Sequence, residues 1–175
     1  MYKPVACTCP DPGRSDCNLC SKLHFMRDLL MQEREFVFLD SDVTVLHRDF
    51  LERLAIRARG FDFLASYGFA VPCATKLMRP FNSGVFFMRW IEGVDYQKLL
   101  RLPWELRSNN DQNALSAFVQ REYREWDVLG MQWHCRFLAG GEVRIPAERC
   151  YTVHGRGPVV KEVMERANRT WLKVG

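Results

Sequence analysis

The chain has 175 residues, 47% of them hydrophobic, and a formal net charge of +4. This length and composition are typical of one folded domain, and they exclude a disordered or collagen-like chain. The charges are scattered along the chain and do not form the basic stripe that is typical of a nucleic-acid-binding protein. No apolar run is close to the length of about 20 residues that a membrane span needs. We therefore expect a folded domain with no nucleic-acid partner and no membrane span or signal peptide in this chain.

The first 20 residues are rich in cysteine, and we treat residues 1–20 as a segment separate from the domain at 21–175. The cysteines lie in two close pairs: Cys7, Cys9, Cys17 and Cys20. Two such pairs can hold a structural Zn²⁺ through four thiolates, and disulfides or free thiols are the alternatives. We expect the other cysteines to be small buried residues: Cys73, Cys135 and Cys150.

Helical and strand patterns alternate along the remainder of the chain. Amphipathic spacing and capping residues predict four helices: Lys22–Gln32, Phe50–Ala58, one starting near Asp111 and one starting at Pro158. Short apolar runs predict four strands: Phe36–Leu39, Phe61–Ser66, Val85–Met88 and Arg149–Val153. Alternation of this kind favours an α/β fold.

The most informative segment is Asp40-Ser41-Asp42, which directly follows the predicted strand Phe36–Leu39. Ligands of α/β proteins collect at the carboxyl ends of strands. Two carboxylates at such a place repel each other unless a cation lies between them, and hard oxygen ligands suit Mg²⁺ or Mn²⁺. The alternative is a simple turn in which one aspartate caps the next segment.

The triplet resembles motifs of two enzyme classes. With Thr44, it resembles the first motif of haloacid-dehalogenase-like phosphatases, in which Asp40 would be the nucleophile and Asp42 a general acid. That class also needs a paired aspartate motif downstream, and the last third of this chain has none. The same residues resemble the Asp-x-Asp motif of nucleotide-sugar glycosyltransferases of the GT-A type.

Four further segments, in the same order as in that class, favour the glycosyltransferase. Ser21-Lys22-Leu23-His24-Phe25 resembles the Lys-Leu segment of glycogenin-like transferases, and Phe81-Asn82-Ser83-Gly84-Val85-Phe86 resembles their Asn-Ser-Gly motif. Asn110-Asp111-Gln112-Asn113-Ala114-Leu115 is similar to their Asp-Gln helix start. Val153-His154-Gly155-Arg156-Gly157 is similar to their late His-x-x-Gly element. The chain thus resembles glycogenin-like and related nucleotide-diphospho-sugar transferase domains from about Lys22 to Lys161.

The resemblance implies a GT-A-like, Rossmann-like mixed sheet flanked by helices. It also implies a Mn²⁺ or Mg²⁺ site at Asp40, Asp42 and His154, which would act on the departing diphosphate of a nucleoside-diphosphate sugar, with a UDP-sugar favoured. The acceptor would be a hydroxyl of a glycan, a protein or a small molecule, and the resemblance implies retention at the anomeric carbon.

Further site residues follow from the same resemblance. Lys22 and Lys161 would add positive charge near the phosphates, and the backbone amides of Gly155 and Gly157 would approach them. The Asn82-Ser83-Gly84 motif would lie beside the donor sugar. Asp111 and Gln112 would face the sugar and the acceptor, with Asp111 stabilising an oxocarbenium-like state.

The chain departs from this family at its start. Members normally open with a strand-helix-strand unit that binds the nucleoside, whereas only about 20 residues precede Lys22 here. We therefore expect an N-terminally short form, and an inactive or incomplete transferase-like domain is one alternative function. A zinc-binding interaction module is another. The compartment stays open between a secretory-pathway lumen such as the Golgi, if the natural chain begins earlier, and the cytoplasm.

Overall fold

The computed structural model describes residues 17–67, 81–106, 111–136 and 149–155 together with residue 165. The helices are α1 (Cys17–Leu30), α2 (Phe50–Arg57), α3 (Lys98–Glu105) and α4 (Asp111–Glu122), with a 3₁₀ turn at Met131–Trp133. The strands are β1 (Phe36–Leu39), β2 (Val43–Val45), β3 (Phe63–Tyr67), β4 (Phe81–Met88), β5 (Trp126–Leu129), β6 (Cys135–Arg136) and β7 (Thr152–His154).

Within the described residues these strands form two sheets. The larger sheet has the order β1-β4-β3-β5, with β4 antiparallel to β1 and β3, and β5 parallel to β3. The smaller sheet has the order β2-β7-β6, with β7 antiparallel to β2 and parallel to β6. The larger sheet is therefore mixed, as the α/β prediction requires.

Strand β4 is buried along its whole length and separates two apolar clusters. Because side chains alternate along a strand, Phe86 and Met88 face one cluster while Val85 and Phe87 face the other. Helices α1, α3 and α4 cover the first face, and α2 covers the second. The α1 residues that enter the core follow helical spacing: Leu23, Met26 and Leu30. The sheet is thus flanked by helices on both faces, which confirms the predicted fold class.

Most predicted elements are present, with shifted bounds. β1 spans the predicted residues, and α4 begins at Asp111 as expected. α1 begins at Cys17 rather than Lys22, β4 begins at Phe81 rather than Val85, and β7 lies later than predicted. Three short strands, β2, β5 and β6, were not predicted, and neither was α3, whose internal Pro103 argues against a helix in the sequence. The helix predicted from Pro158 lies outside the described residues.

A disulfide joins Cys135 to Cys150, with their Cα atoms 5.9 Å apart. Both residues are buried as expected, but the expectation that they serve only as small apolar side chains is wrong. The bond ties β6 to the segment that leads into β7. Cys7, Cys9 and Cys73 lie outside the described residues, and for Cys17 and Cys20 only the backbone, in α1, is described.

In the described part of the chain, no helix combines the length and the apolar character that crossing a bilayer requires.

Candidate active site

A tight turn holds the acidic triplet at the end of β1. The Asp40 N–H donates to the Gly84 carbonyl at 2.9 Å, which continues the pairing of β1 with β4. The Val43 N–H then donates to the Asp40 carbonyl at 3.0 Å, and the chain enters β2. Because Val43 pairs with His154 across β2 and β7, this turn brings Asp42 beside the end of β7.

Asp40, Asp42 and His154 lie close enough together to share one metal ion. One potential ligand atom from each residue lies within 4.8 Å of the other two, and the His154 Nε2 is 3.1 Å from an Asp42 oxygen. All three side chains are partly exposed, so an ion could reach them. Two carboxylates and one imidazole suit Mn²⁺ and also Mg²⁺, so the residues present fit the metal that the resemblance implies.

Lys22 is bound by acidic groups inside the site. Its ammonium lies 2.9 Å from Asp40, 3.0 Å from Asp111 and 2.6 Å from the main-chain oxygen of Ser83. It also lies 4.5 Å from the centre of the Phe38 ring. The side chain is only 12% exposed, so α1 places it among these groups rather than in solvent.

The charges of the site do not balance. Among the residues that the structure describes there, the carboxylates of Asp40, Asp42 and Asp111 accompany the ammonium of Lys22, which leaves two negative charges while His154 is neutral. Like charges held this close raise the energy of the site unless a cation joins them. The site is therefore electrostatically suited to a divalent cation.

An irregular stretch of β4 links the site to the start of α4. Between the pairs Ala65–Phe86 and Ser66–Asn82 the register shifts, so β3 advances by one residue while β4 advances by four. Within this stretch the Ser83 hydroxyl donates to Asp111 at 2.8 Å, and the Asn82 amide donates to Gln112 at 3.3 Å. Each polar residue of the Asn-Ser motif thus contacts one residue of the Asp-Gln motif.

Glycines allow the backbone to approach the site closely. A Cβ atom at Gly84 would lie 2.8 Å from the His154 Nδ1, so a larger residue there would displace the imidazole. Gly155 has φ 130°, and its N–H donates to the Asp42 carbonyl at 3.1 Å. That amide, which the sequence placed near a phosphate, is thus bound within the turn. Gly157 and Lys161, the other predicted phosphate neighbours, lie outside the described residues.

Two further polar residues, His134 and Ser66, lie behind His154. The His134 Nε2 is 2.7 Å from the His154 Nδ1, and the His134 Nδ1 is 2.6 Å from the Ser66 hydroxyl. Both residues are almost fully buried. No local sequence pattern reveals this row of Ser66, His134 and His154, because the two histidines are 20 positions apart in the sequence and His134 and Ser66 are 68 positions apart.

The chain matches a family of known enzymes and shares its fold with solved members of the same class. The model of the nucleotide-diphospho-sugar transferase family matches residues 18–162. Mouse xyloside xylosyltransferase 1 is similar in structure, with a TM-score of 0.52 and 14% identity over 82% of this chain. A glycosyltransferase involved in glycosylation of the major capsid of the virus PBCV-1 is also similar, with a TM-score of 0.52 and 17% identity over 91% of this chain.

These similarities are distant. This chain spans 66% of the mouse chain and 80% of the viral chain, and no curated protein matches it significantly. The family match nevertheless runs through Lys22, both aspartates of the triplet, Asp111 and His154. It favours the transferase interpretation of the triplet over the phosphatase one. The chain therefore belongs to the nucleotide-diphospho-sugar transferase family and has the GT-A type of glycosyltransferase fold.

Proposed function

We propose that this protein is a metal-dependent glycosyltransferase that moves a sugar from a nucleoside-diphosphate sugar to an acceptor hydroxyl. The observation that carries the proposal is the convergence of Asp40, Asp42 and His154, from three separate strand ends, within 4.8 Å. Among the described side chains around them, an excess of two negative charges supports a divalent ion rather than a monovalent one.

Asp40, Asp42 and His154 would hold the Mn²⁺ or Mg²⁺ ion. When bound, the ion supplies Lewis-acid stabilisation of the charge that a departing diphosphate gains. His154 would coordinate as a neutral imidazole, because a protonated ring has no lone pair to offer. A UDP-sugar remains the favoured donor, on the resemblance alone.

The carboxylate of Asp111 is held in a fixed orientation by two donors, Lys22 and the Ser83 hydroxyl. A fixed carboxylate placed near the anomeric carbon would stabilise positive charge that develops on the sugar ring. Since the same Lys22 also contacts Asp40, a single ammonium couples the proposed sugar side of the site to the metal side. We assign Asp111, Gln112 and Lys22 to the catalytic group on this basis, and the retaining stereochemistry on the resemblance.

The amides of Asn82 and Gln112 face each other across the β4–α4 contact. Paired amides offer both donors and acceptors, which suits the recognition of sugar hydroxyls. With Ser83 and Gly84, they form the proposed donor-sugar subsite. Gly155, Gly157 and Lys161 remain proposed diphosphate neighbours on the resemblance, and Gly155 would have to exchange its present hydrogen bond to serve there.

We propose residues 21–175 as the catalytic unit, with a structural Zn²⁺ held by the four N-terminal cysteines. The Cys135–Cys150 disulfide supports an oxidising compartment, such as a secretory-pathway lumen, over the cytoplasm.

Calorimetric titration of UDP and of GDP, with Mn²⁺ and then with a chelator, tests the proposal. We expect binding that requires Mn²⁺, and loss of binding and of sugar-nucleotide turnover in Asp42→Asn. Asp95→Asn is the matched control, because Asp95 is exposed and makes a loose ion pair of 3.8 Å with Arg101. Its side chain also accepts a hydrogen bond from the Gln97 N–H at 3.0 Å, which the oxygen of asparagine can still accept. Turnover that persists in Asp42→Asn and in chelator would overturn the metal assignment.

A further inference from the structure

We propose that His134 is a positioning residue that fixes the ring and the mobile proton of His154, so that His154 Nε2 can serve as a metal ligand. This inference rests on the proposed function, because it concerns the same metal site. It adds Ser66 and His134 to the residues on which that site depends.

The hydrogen bonds behind His154 form one continuous row. From the interior outward, Val85 carbonyl, Ser66 hydroxyl, His134 and His154 follow one another at 3.5, 2.6 and 2.7 Å. The row ends where the His154 Nε2 lies 3.1 Å from Asp42. Ser66 is 2% exposed and His134 is 5% exposed, so the row runs from the core directly to the acidic cluster.

Each hydrogen bond of the row has a donor and an acceptor, and one assignment leaves the His154 Nε2 without a proton. A carbonyl only accepts, so the Ser66 hydroxyl donates to Val85 and its oxygen then accepts from His134 Nδ1–H. The His134 Nε2 is then the acceptor for His154 Nδ1–H. In this arrangement both rings are neutral, and the lone pair of His154 Nε2 faces the two aspartates.

The reverse arrangement is also self-consistent without a metal. In it the His154 Nε2–H donates to Asp42, and every bond between the histidines and Ser66 changes direction. A metal at Asp40, Asp42 and His154 is compatible with the first arrangement only, because Nε2 must then carry no proton. Metal binding therefore selects one tautomer of both histidines, the one in which the Ser66 proton is directed to the Val85 carbonyl and not to His134.

The backbone around His134 is held in place by several bonds. The His134 N–H donates to the Met131 carbonyl at 3.2 Å, and the carbonyl of Trp133 accepts from the Thr152 hydroxyl at 2.7 Å. Immediately after His134, Cys135 is bonded covalently to Cys150. The backbone on both sides of His134 is thus held, so its imidazole can orient His154 rather than follow it. Partners of this kind behind a ligand histidine commonly contribute 10- to 100-fold, in order of magnitude, to metal affinity.

Two variants of similar size separate the role of the hydrogen bond from that of packing. In His134→Gln, the amide oxygen can accept from His154 Nδ1–H, whereas in His134→Met that acceptor is lost. We expect Mn²⁺ affinity, measured by calorimetry on the full chain without nucleotide, to fall about 10- to 100-fold in His134→Met. In His134→Gln the affinity should stay within about threefold of wild type, since the accepting atom is kept.

A spectroscopic readout checks the tautomer itself. In ¹⁵N NMR with Mg²⁺, His154 should carry its proton on Nδ1 in the wild type and in His134→Gln, and this preference should weaken in His134→Met. Where His134→Met fails to fold, Ser66→Ala serves instead, because Ser66 acts on the row without touching His154.

The outcomes distinguish the two proposals. If the wild type binds no Mn²⁺, the metal site is wrong and the role of His134 is overturned with it. If the wild type binds Mn²⁺ and His134→Met, or Ser66→Ala in its place, binds it equally well, the role of His134 alone is overturned. Weak binding by both His134→Gln and His134→Met would attribute the effect to the shape of the imidazole and overturn the hydrogen-bond argument.

Discussion

Replacing Gly84 by alanine tests the geometry of the site with a single added methyl group. A Cβ at Gly84 would lie 2.8 Å from the His154 Nδ1, 2.9 Å from its Cε1 and 2.9 Å from the Asn82 side-chain oxygen. Gly84 is not among the glycines with positive φ, so the backbone itself accepts alanine. Any effect must therefore come from the collision with these two side chains.

The size of the effect follows from the distances. Ordinary contact begins near 3.4 Å, so the imidazole must move by about 0.6 Å. His154 is held on one side by Asp42 at 3.1 Å and on the other by His134 at 2.7 Å, so this movement strains one of the two hydrogen bonds. We expect the free energy of unfolding to fall by about 1–3 kcal/mol, as in other overpacked sites. Mn²⁺ affinity should fall at least about tenfold, which corresponds to roughly 1.4 kcal/mol.

Urea denaturation and Mn²⁺ titration measure the two effects, and Gly130→Ala is the matched control. The three atoms nearest to a Cβ at Gly130 all belong to the end of the Gln132 side chain, which is exposed and can rotate away. We expect that variant to keep both stability and metal affinity. A Gly84→Ala protein that binds Mn²⁺ as tightly as Gly130→Ala would refute the assignment of His154 to the metal site.

Three further predictions concern the buried charge, the disulfide and alkaline stability. Lys22→Met removes the cation shared by two partly buried carboxylates, so the free energy of unfolding measured in urea should fall by about 2–3 kcal/mol. Added Mg²⁺ should stabilise this variant more than it stabilises the wild type. Replacing both Cys135 and Cys150, 15 residues apart, by serine should cost about 3 kcal/mol in the same assay. Burial raises the pKa of Tyr123, so the folded state opposes its ionisation and stability should fall as the pH rises above about 10. In Tyr123→Phe, the urea midpoint should decrease less between about pH 9 and 11 than in the wild type. The variant should also be about 1 kcal/mol less stable at neutral pH, because it loses the hydrogen bond to the Arg89 carbonyl.

Features that depend on local sequence were predictable. The strand Phe36–Leu39 and the acidic turn after it follow from an apolar run that ends in carboxylates, and both are present. The start of α4 at Asp111 follows from residues that favour a helix N-terminus. In each case the signal and the structure occupy the same few residues.

Features that depend on distant partners were not predictable in this way. Asn82-Ser83-Gly84 has the composition of a turn, yet it lies inside β4, where Asn82 pairs with Ser66 of β3 and the Gly84 carbonyl accepts from the Asp40 N–H. The pairing of Cys135 with Cys150 could not be chosen among seven cysteines without the fold. Trp104 is a large aromatic residue of a type that is usually largely buried, yet it lies on α3 and is 60% exposed.

The position of β4 has a consequence for the way the protein opens. At Phe86, Phe87 and Met88 this buried strand pairs with β1 on one side and with β3 on the other, so these amide hydrogens exchange with solvent only when the sheet separates. Hydrogen exchange at these three residues should therefore report the global free energy of unfolding. The turn at residues 40–43, bonded more sparsely, can open locally and exchange sooner. The turn that carries Asp40 and Asp42 can thus move while the strand behind it stays closed.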